Sequence, residues 1–193
     1  ADEYHMAMSS RVIEQAIAAR SAATVLRRLR RIDKDDLLAA MGIGLRKGVD
    51  EILAANGADV DRGRDAGMDE ALLDRLTLTP ERIEGMAVGL EGVAHLDDSV
   101  GEVVRGWHTP LGVKVEQVRV PIGVIGIIYE ARPNVTSDAA GICLKSGNAC
   151  LLRGSSSALE SNRAVIAAMR SRLPDEIREA VQLVEGGHEV TDE

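Results

Sequence analysis

From Ile122 onward, short apolar runs alternate with segments of helical periodicity, and this alternation restricts the chain to a layered α/β architecture. Ile122 to Tyr129 is almost continuously apolar and reads as a strand buried on both faces. A loop follows over Glu130 to Thr136, then a helix from about Ser137 that stops at Gly147-Asn148. Ala149 to Arg153 reads as a second strand. Gly154-Ser155-Ser156-Ser157 caps another helix that stops before Pro174, and Val181 to Val184 gives a third strand ahead of Gly186-Gly187. Right-handed crossovers set three such strands parallel, as a βαβαβ unit.

Composition supports the same class. The chain has no Phe and only Tyr4, Tyr129 and Trp107, so its core must be built from Ala, Val, Leu, Ile and Met. Such a core suits helices and buried parallel strands better than a β-sandwich, which leans on aromatic pairs. With 193 residues, 45% hydrophobic and 28% charged, wholesale disorder and collagen-like structure are excluded. The net charge of -8 argues against a nucleic-acid partner held by bulk charge. Cys143 and Cys150 fit neither a disulfide framework nor a zinc pattern, so no metal site is expected and a reducing compartment is. No run approaches 18 apolar residues and the N-terminus has no apolar signal core. The reading is therefore a cytoplasmic protein without a membrane partner.

Upstream the pattern is helical. A first helix is expected from about Tyr4 to Arg31, its basic end (Arg27, Arg28, Arg30, Arg31) complementing the helix dipole. A second is expected from Asp33, with Leu37, Met41, Leu45, Val49 and Leu53 in one stripe ending at Asn56-Gly57. Gly42, Gly44 and Gly48 within it mimic a dinucleotide loop, but no strand precedes them, so they read as close-packing positions. A turn-rich connection over Ala58 to Gly67 leads to a short helix near Asp69 to Leu76. Thr79-Pro80-Glu81 then opens another as cap, first residue and dipole-matched acid. Glu102 to Trp107 and Val113 to Val120 alternate around Thr109-Pro110-Leu111-Gly112 as a hairpin, with a phase slip that predicts a bulge near Glu116-Gln117. The expected division is 1–100 helical, 101–120 a hairpin arm for homo-oligomerisation, and 121–193 a Rossmann-like nucleotide-binding part.

In open parallel sheets, ligands sit outside the carboxyl ends of the strands. Three polar clusters fall there: Glu130 to Asn134, Arg153 to Ser156, and Gly186 to His188. Helix N-termini at that edge offer backbone N–H groups to a phosphate, and Arg153 adds a planar cation. The candidate cofactor-binding residues are accordingly Arg153, Ser155, Ser156, Gly186 and Gly187. Together they point to an anionic nucleotide.

The residues from Val118-Arg119-Val120-Pro121 through Tyr129-Glu130-Ala131-Arg132-Pro133-Asn134-Val135-Thr136 carry a more specific signal. With Cys143-Leu144-Lys145-Ser146-Gly147-Asn148-Ala149, Leu152-Arg153-Gly154 and Leu78-Thr79-Pro80-Glu81-Arg82-Ile83-Glu84-Gly85-Met86, they closely resemble the γ-glutamyl phosphate reductase family of the aldehyde dehydrogenase superfamily. The likeness is to the N-terminal portion of that family. It implies NADPH-dependent reduction of γ-glutamyl phosphate, a small-molecule substrate, to glutamate-5-semialdehyde and phosphate in proline synthesis, with a functional link to glutamate 5-kinase.

In the family a cysteine thiolate attacks the acyl phosphate and hydride reduces the thioester. Asn134 matches the Asn whose amide donates to the oxyanion, so it is the candidate catalytic residue. Arg153 matches the basic residue facing the adenosine ribose. Ser156 stands where NAD-using relatives have an acid, which favours NADP(H). Arg132 and Lys145 are further cations that suit the substrate's charges, though neither is counted among the site residues. Neither Cys143 nor Cys150 matches the nucleophile, so the 193-residue chain alone is expected to be inactive. The alternatives are another aldehyde dehydrogenase superfamily activity, or a nucleotide-binding or oligomer-forming module without catalysis.

Overall fold

The computed structural model describes residues 2–185, with side chains described from Arg11 onward; Gly186, Gly187 and His188 lie outside the described residues. Its elements are α1 (Asp2–Leu26), α2 (Arg31–Lys47), α3 (Val49–Asp65), α4 (Glu70–Leu76), α5 (Pro80–His95), β1 (Val103–His108), β2 (Lys114–Val118), β3 (Val124–Ile128), α6 (Pro133–Lys145), β4 (Ala149–Arg153), a 3-10 turn (Ser156–Ala158), α7 (Leu159–Arg170), α8 (Asp175–Arg178) and β5 (Val181–Leu183). Strands β3, β4 and β5 form a parallel sheet in that order, with Ile125 beside Cys150 and Cys150 beside Val181. The expected α/β class and βαβαβ order are present.

The core is aliphatic throughout, as the missing aromatics require. Leu38, Met41 and Leu45 of α2, Ile83 and Leu90 of α5, Leu144 of α6, Leu152 of β4 and Met169 of α7 are all at most 1% exposed. Glycines let α2 approach its neighbours closely. A Cβ on Gly42 would stand 3.3 Å from the Ala87 carbonyl oxygen on α5, and one on Gly44 would stand 2.3 Å from that of Ala168 on α7. These are packing positions, as the sequence indicated.

Several boundaries differ from expectation for identifiable reasons. The stripe from Leu37 to Leu53 belongs to two helices: Gly48, whose Cβ would meet the Ala168 methyl at 3.0 Å, caps α2 and precedes α3. Asn56-Gly57 does not end α3, which runs to Asp65, because the Asn56 side chain bonds outside its helix. Its amide donates to the Leu76 carbonyl and to Ser161 Oγ, each at 2.9 Å, and its oxygen accepts from the Leu78 N–H at 2.7 Å. The basic run straddles the α1–α2 joint instead of ending α1; Arg30 pairs with Asp33 at the N-terminus of α2. The hairpin bulge falls at Val104 on β1, since Val103 pairs with Val118 and Arg105 with Gln117. Strand β3 is not buried on both faces: it forms an edge of the sheet, and Ile128 is 64% exposed. Helix α6 starts at Pro133, four residues earlier than predicted, which bears directly on the site.

Candidate functional site

Strand β3 delivers the chain to the first turn of α6. Arg132, held in extended backbone by the proline after it, is the N-cap; Pro133 occupies the first helical position, where its missing N–H costs nothing; Asn134 comes next. Asn134 therefore sits on a helix N-terminus at the carboxyl end of a parallel strand, not in a loop. That turn is fixed from below. The buried Thr136 hydroxyl donates to Asn162 Oδ1 of α7 at 2.8 Å and pairs with the Tyr129 hydroxyl at 2.7 Å. Burial pushes the Tyr129 hydroxyl up to about 12, so it stays a neutral donor. Gly154 packs against the same group: a Cβ there would lie 2.2 Å from Asn162 Nδ2 and 3.1 Å from the Tyr129 ring.

The Asn134 amide opens into a cleft of about 420 Å³ whose wall includes Asp74, Arg75, Arg82, Arg132 and Asp138. Its amide nitrogen lies 3.4 Å from Asp138 Oδ2, one turn along α6. Loss of hydration raises the Asp138 carboxyl above its ordinary value, against a smaller lowering by the Asn134 amide. Sequence reasoning missed Asp138. Its spacing of four residues from Asn134 on one helix was the available signal.

Arg153 ends β4, and Ser155 and Ser156 follow at the same sheet edge. The Ser155 hydroxyl accepts from the Ser157 N–H at 3.3 Å and bonds the Ser157 hydroxyl at 2.8 Å, so it shapes the turn. Ser156 is exposed, and it lines a cavity of about 550 Å³ together with Ser157, Asp59 and Arg62. Arg62, unnoticed in the sequence, thus adds a second cation near Ser156.

The N-terminus of α7 is less open to a phosphate than the sequence suggested. Asp59 from α3, with no solvent exposure, accepts the Ser161 N–H at 2.7 Å, the Ser161 hydroxyl at 2.6 Å and the Glu160 N–H at 3.4 Å. Its other partner is Arg62. An anion from the protein itself already caps this helix.

Lys145 is not near the cleft's chemistry: it is 5% exposed, pairs with Asp35 and donates to the Ala94 carbonyl at 2.7 Å. Both thiols are buried, Cys143 at 4% and Cys150 at 0% exposure. The Cys150 thiol, hydrogen-bonded to the Cys143 thiol and desolvated, is held well above the ordinary thiol range. No cluster of three or more His, Cys, Asp or Glu suited to a metal occurs among the described residues. Among those same residues, no helix is long and apolar enough to cross a membrane.

The parallel sheet, with an Asn on the helix after β3 and a basic residue ending β4, defines a portion of an aldehyde dehydrogenase-type fold. A probable aldehyde dehydrogenase from Listeria monocytogenes superposes with a TM-score of 0.68 over 97% of this chain and 39% of that one, at 13% identity. Within this class the chain resembles γ-glutamyl phosphate reductase. It is 98% identical over 188 residues to the γ-glutamyl phosphate reductase of Cutibacterium acnes, covering 97% of this chain and 45% of that protein. The crystal structure of the Thermotoga maritima γ-glutamyl phosphate reductase matches with a TM-score of 0.88 and 41% identity over 93% of this chain and 44% of that one. The chain thus spans less than half the length of the relatives it matches. No family model matches it.

Proposed function

We propose that this chain is the part of a γ-glutamyl phosphate reductase that carries the oxyanion donor and a share of an NADP(H) site. The observation that carries this reading is Asn134, fixed on the first turn of α6 and lining a cleft. When an acyl carbon becomes tetrahedral its oxygen gains charge, and an amide held in advance stabilises that charge without reorganisation. Bound NADPH supplies the hydride. Arg153 and the exposed Ser156, with Arg62 beside it, would hold the adenosine ribose and its 2′-phosphate. Ser156 brings a hydroxyl and no acid to this edge, Arg62 lines the same cavity while paired with Asp59, and Arg153 ends the adjacent strand, the groups a 2′-phosphate would meet.

Cys143 and Cys150 are both buried and hydrogen-bonded to each other, away from the cleft lining, so on this reading the acyl-transfer cysteine comes from elsewhere in the full-length enzyme. The exposed hairpin, with Val103, Val104, Trp107, Val113 and Val118 at least 42% accessible, suits pairing with a second copy. A labile acyl phosphate also implies a functional link to the kinase that makes it, glutamate 5-kinase. Two free thiols suit a reducing compartment, here assigned as the cytoplasm.

The test is oxidation of glutamate-5-semialdehyde by a full-length reductase carrying this sequence. Turnover that requires both NADP and phosphate is expected, and none from the 193-residue chain alone. An enzyme indifferent to phosphate, or a chain active through Cys143 or Cys150, contradicts the reading.

A further inference from the structure

We infer that the cleft beside Asn134 seats the substrate's α-amino-acid head group, with Asp138 receiving the ammonium and Arg75 the carboxylate; this rests on reading the substrate as γ-glutamyl phosphate. The charges lining the cleft fall into two sets. Arg82 is committed within its own wall, with bonds to Asp74 Oδ1 at 2.8 Å and to the Thr77 carbonyl at 2.7 Å. Arg75, Arg132 and Asp138, in contrast, form no ion pair among the described residues, although all three border one space. Among the described residues Asp138 has only the long contact to Asn134, and no cation there offsets its lost hydration.

A cleft that keeps a carboxylate and guanidinium groups apart is built for a ligand carrying both signs. A γ-glutamyl group is such a ligand. Its ammonium and carboxylate share one carbon, three carbons away from the acyl carbon, so both charges lie to one side of the reacting centre. Asp138 is one turn from Asn134, within reach of that ammonium. Arg75 comes from α4, the other wall. Arg132, two residues before Asn134, stands nearer the reacting end and its phosphate.

The arrangement has a chemical consequence for the product. In glutamate-5-semialdehyde the amine can attack its own aldehyde and close a five-membered imine ring with loss of water. An ammonium held by Asp138 has no lone pair to attack with, so the aldehyde stays open until release.

The experiment uses a full-length reductase, with NADP and phosphate, on three aldehydes: glutamate-5-semialdehyde, 5-oxopentanoate (no amine) and 4-aminobutanal (no carboxylate). Asp138→Asn should lower the preference for the semialdehyde over 5-oxopentanoate, measured as a ratio of kcat/KM values, by about tenfold or more and chiefly through KM. Arg75→Gln should lower the preference over 4-aminobutanal by a similar factor. Unchanged ratios, or equal loss on all three aldehydes, overturn the head-group assignment while leaving the reductase reading intact. An unaltered enzyme inert toward the semialdehyde overturns that reading itself, and this inference with it.

Discussion

The Asp59 carboxylate of α3 accepts the backbone N–H of Ser161 at 2.7 Å and its hydroxyl at 2.6 Å, so one helix is capped by a buried acid from another. Asn56, a turn earlier, bonds the same hydroxyl and ties in both ends of the loop after α4. Replacing Asp59 by Ala should remove the cap and leave Ser161 without its main acceptor. The cost is about 2–4 kcal/mol, combining a lost cap with buried unsatisfied donors. Urea unfolding of the 193-residue chain measures it; a change below about 0.5 kcal/mol would mean that water replaces the carboxylate.

A pH dependence follows from Asp98. Its carboxylate accepts from Lys34 at 2.6 Å, and Lys34 is 1% exposed. Desolvation works to raise the Asp98 pKa, but the bond to Lys34, with a second from the Val100 N–H, outweighs it and the net shift is downward from 3.8. An acid whose folded pKa is depressed binds fewer protons folded than unfolded. Its stabilisation is present above pH ~4 and is lost as pH falls through the folded value. Asp98→Asn should flatten that acid limb and, by leaving the Lys34 ammonium buried without its partner, lower stability at pH 7 by about 3–5 kcal/mol. Chemical denaturation from pH 7 to pH 2 for both forms gives the comparison.

Cofactor choice is tested at Arg153 and Ser156. In the full-length enzyme, Arg153→Leu should weaken NADPH by roughly 1.5–3 kcal/mol, the scale of hydrogen bonds to a charged group, and NADH much less. Ser156→Glu should shift preference the same way, by repulsion of the 2′-phosphate. Titration of both cofactors is the measurement. Equal weakening would return Arg153 to a structural role at the strand end.

How far the sequence carried these features depends on whether they are local. The strand–helix alternation after Ile122 is contiguous in sequence and led to the observed sheet, and the equally local motif around Asn134 marked the strand-to-helix junction where the candidate site lies. The α2 glycines were also legible, because no strand precedes them and a helix tolerates them only for close approach. The break at Gly48 was not, since the apolar stripe runs through it and the cause is Ala168, far along the chain. Asn56-Gly57 looked like a stop until Leu76, Leu78 and Ser161 supplied partners for Asn56. Asp59 and Arg62 went unseen for the same reason: their roles arise where distant helices meet.

The central claim is that Asn134 donates to the oxyanion, and it is tested by the turnover of Asn134→Ala in a full-length reductase beside its NADPH affinity. The variant should bind NADPH as the parent does and lose on the order of a hundredfold or more in kcat, the usual effect of removing one oxyanion donor. Turnover within a fewfold of the parent would contradict the account and leave Asn134 as a structural residue of the α6 first turn.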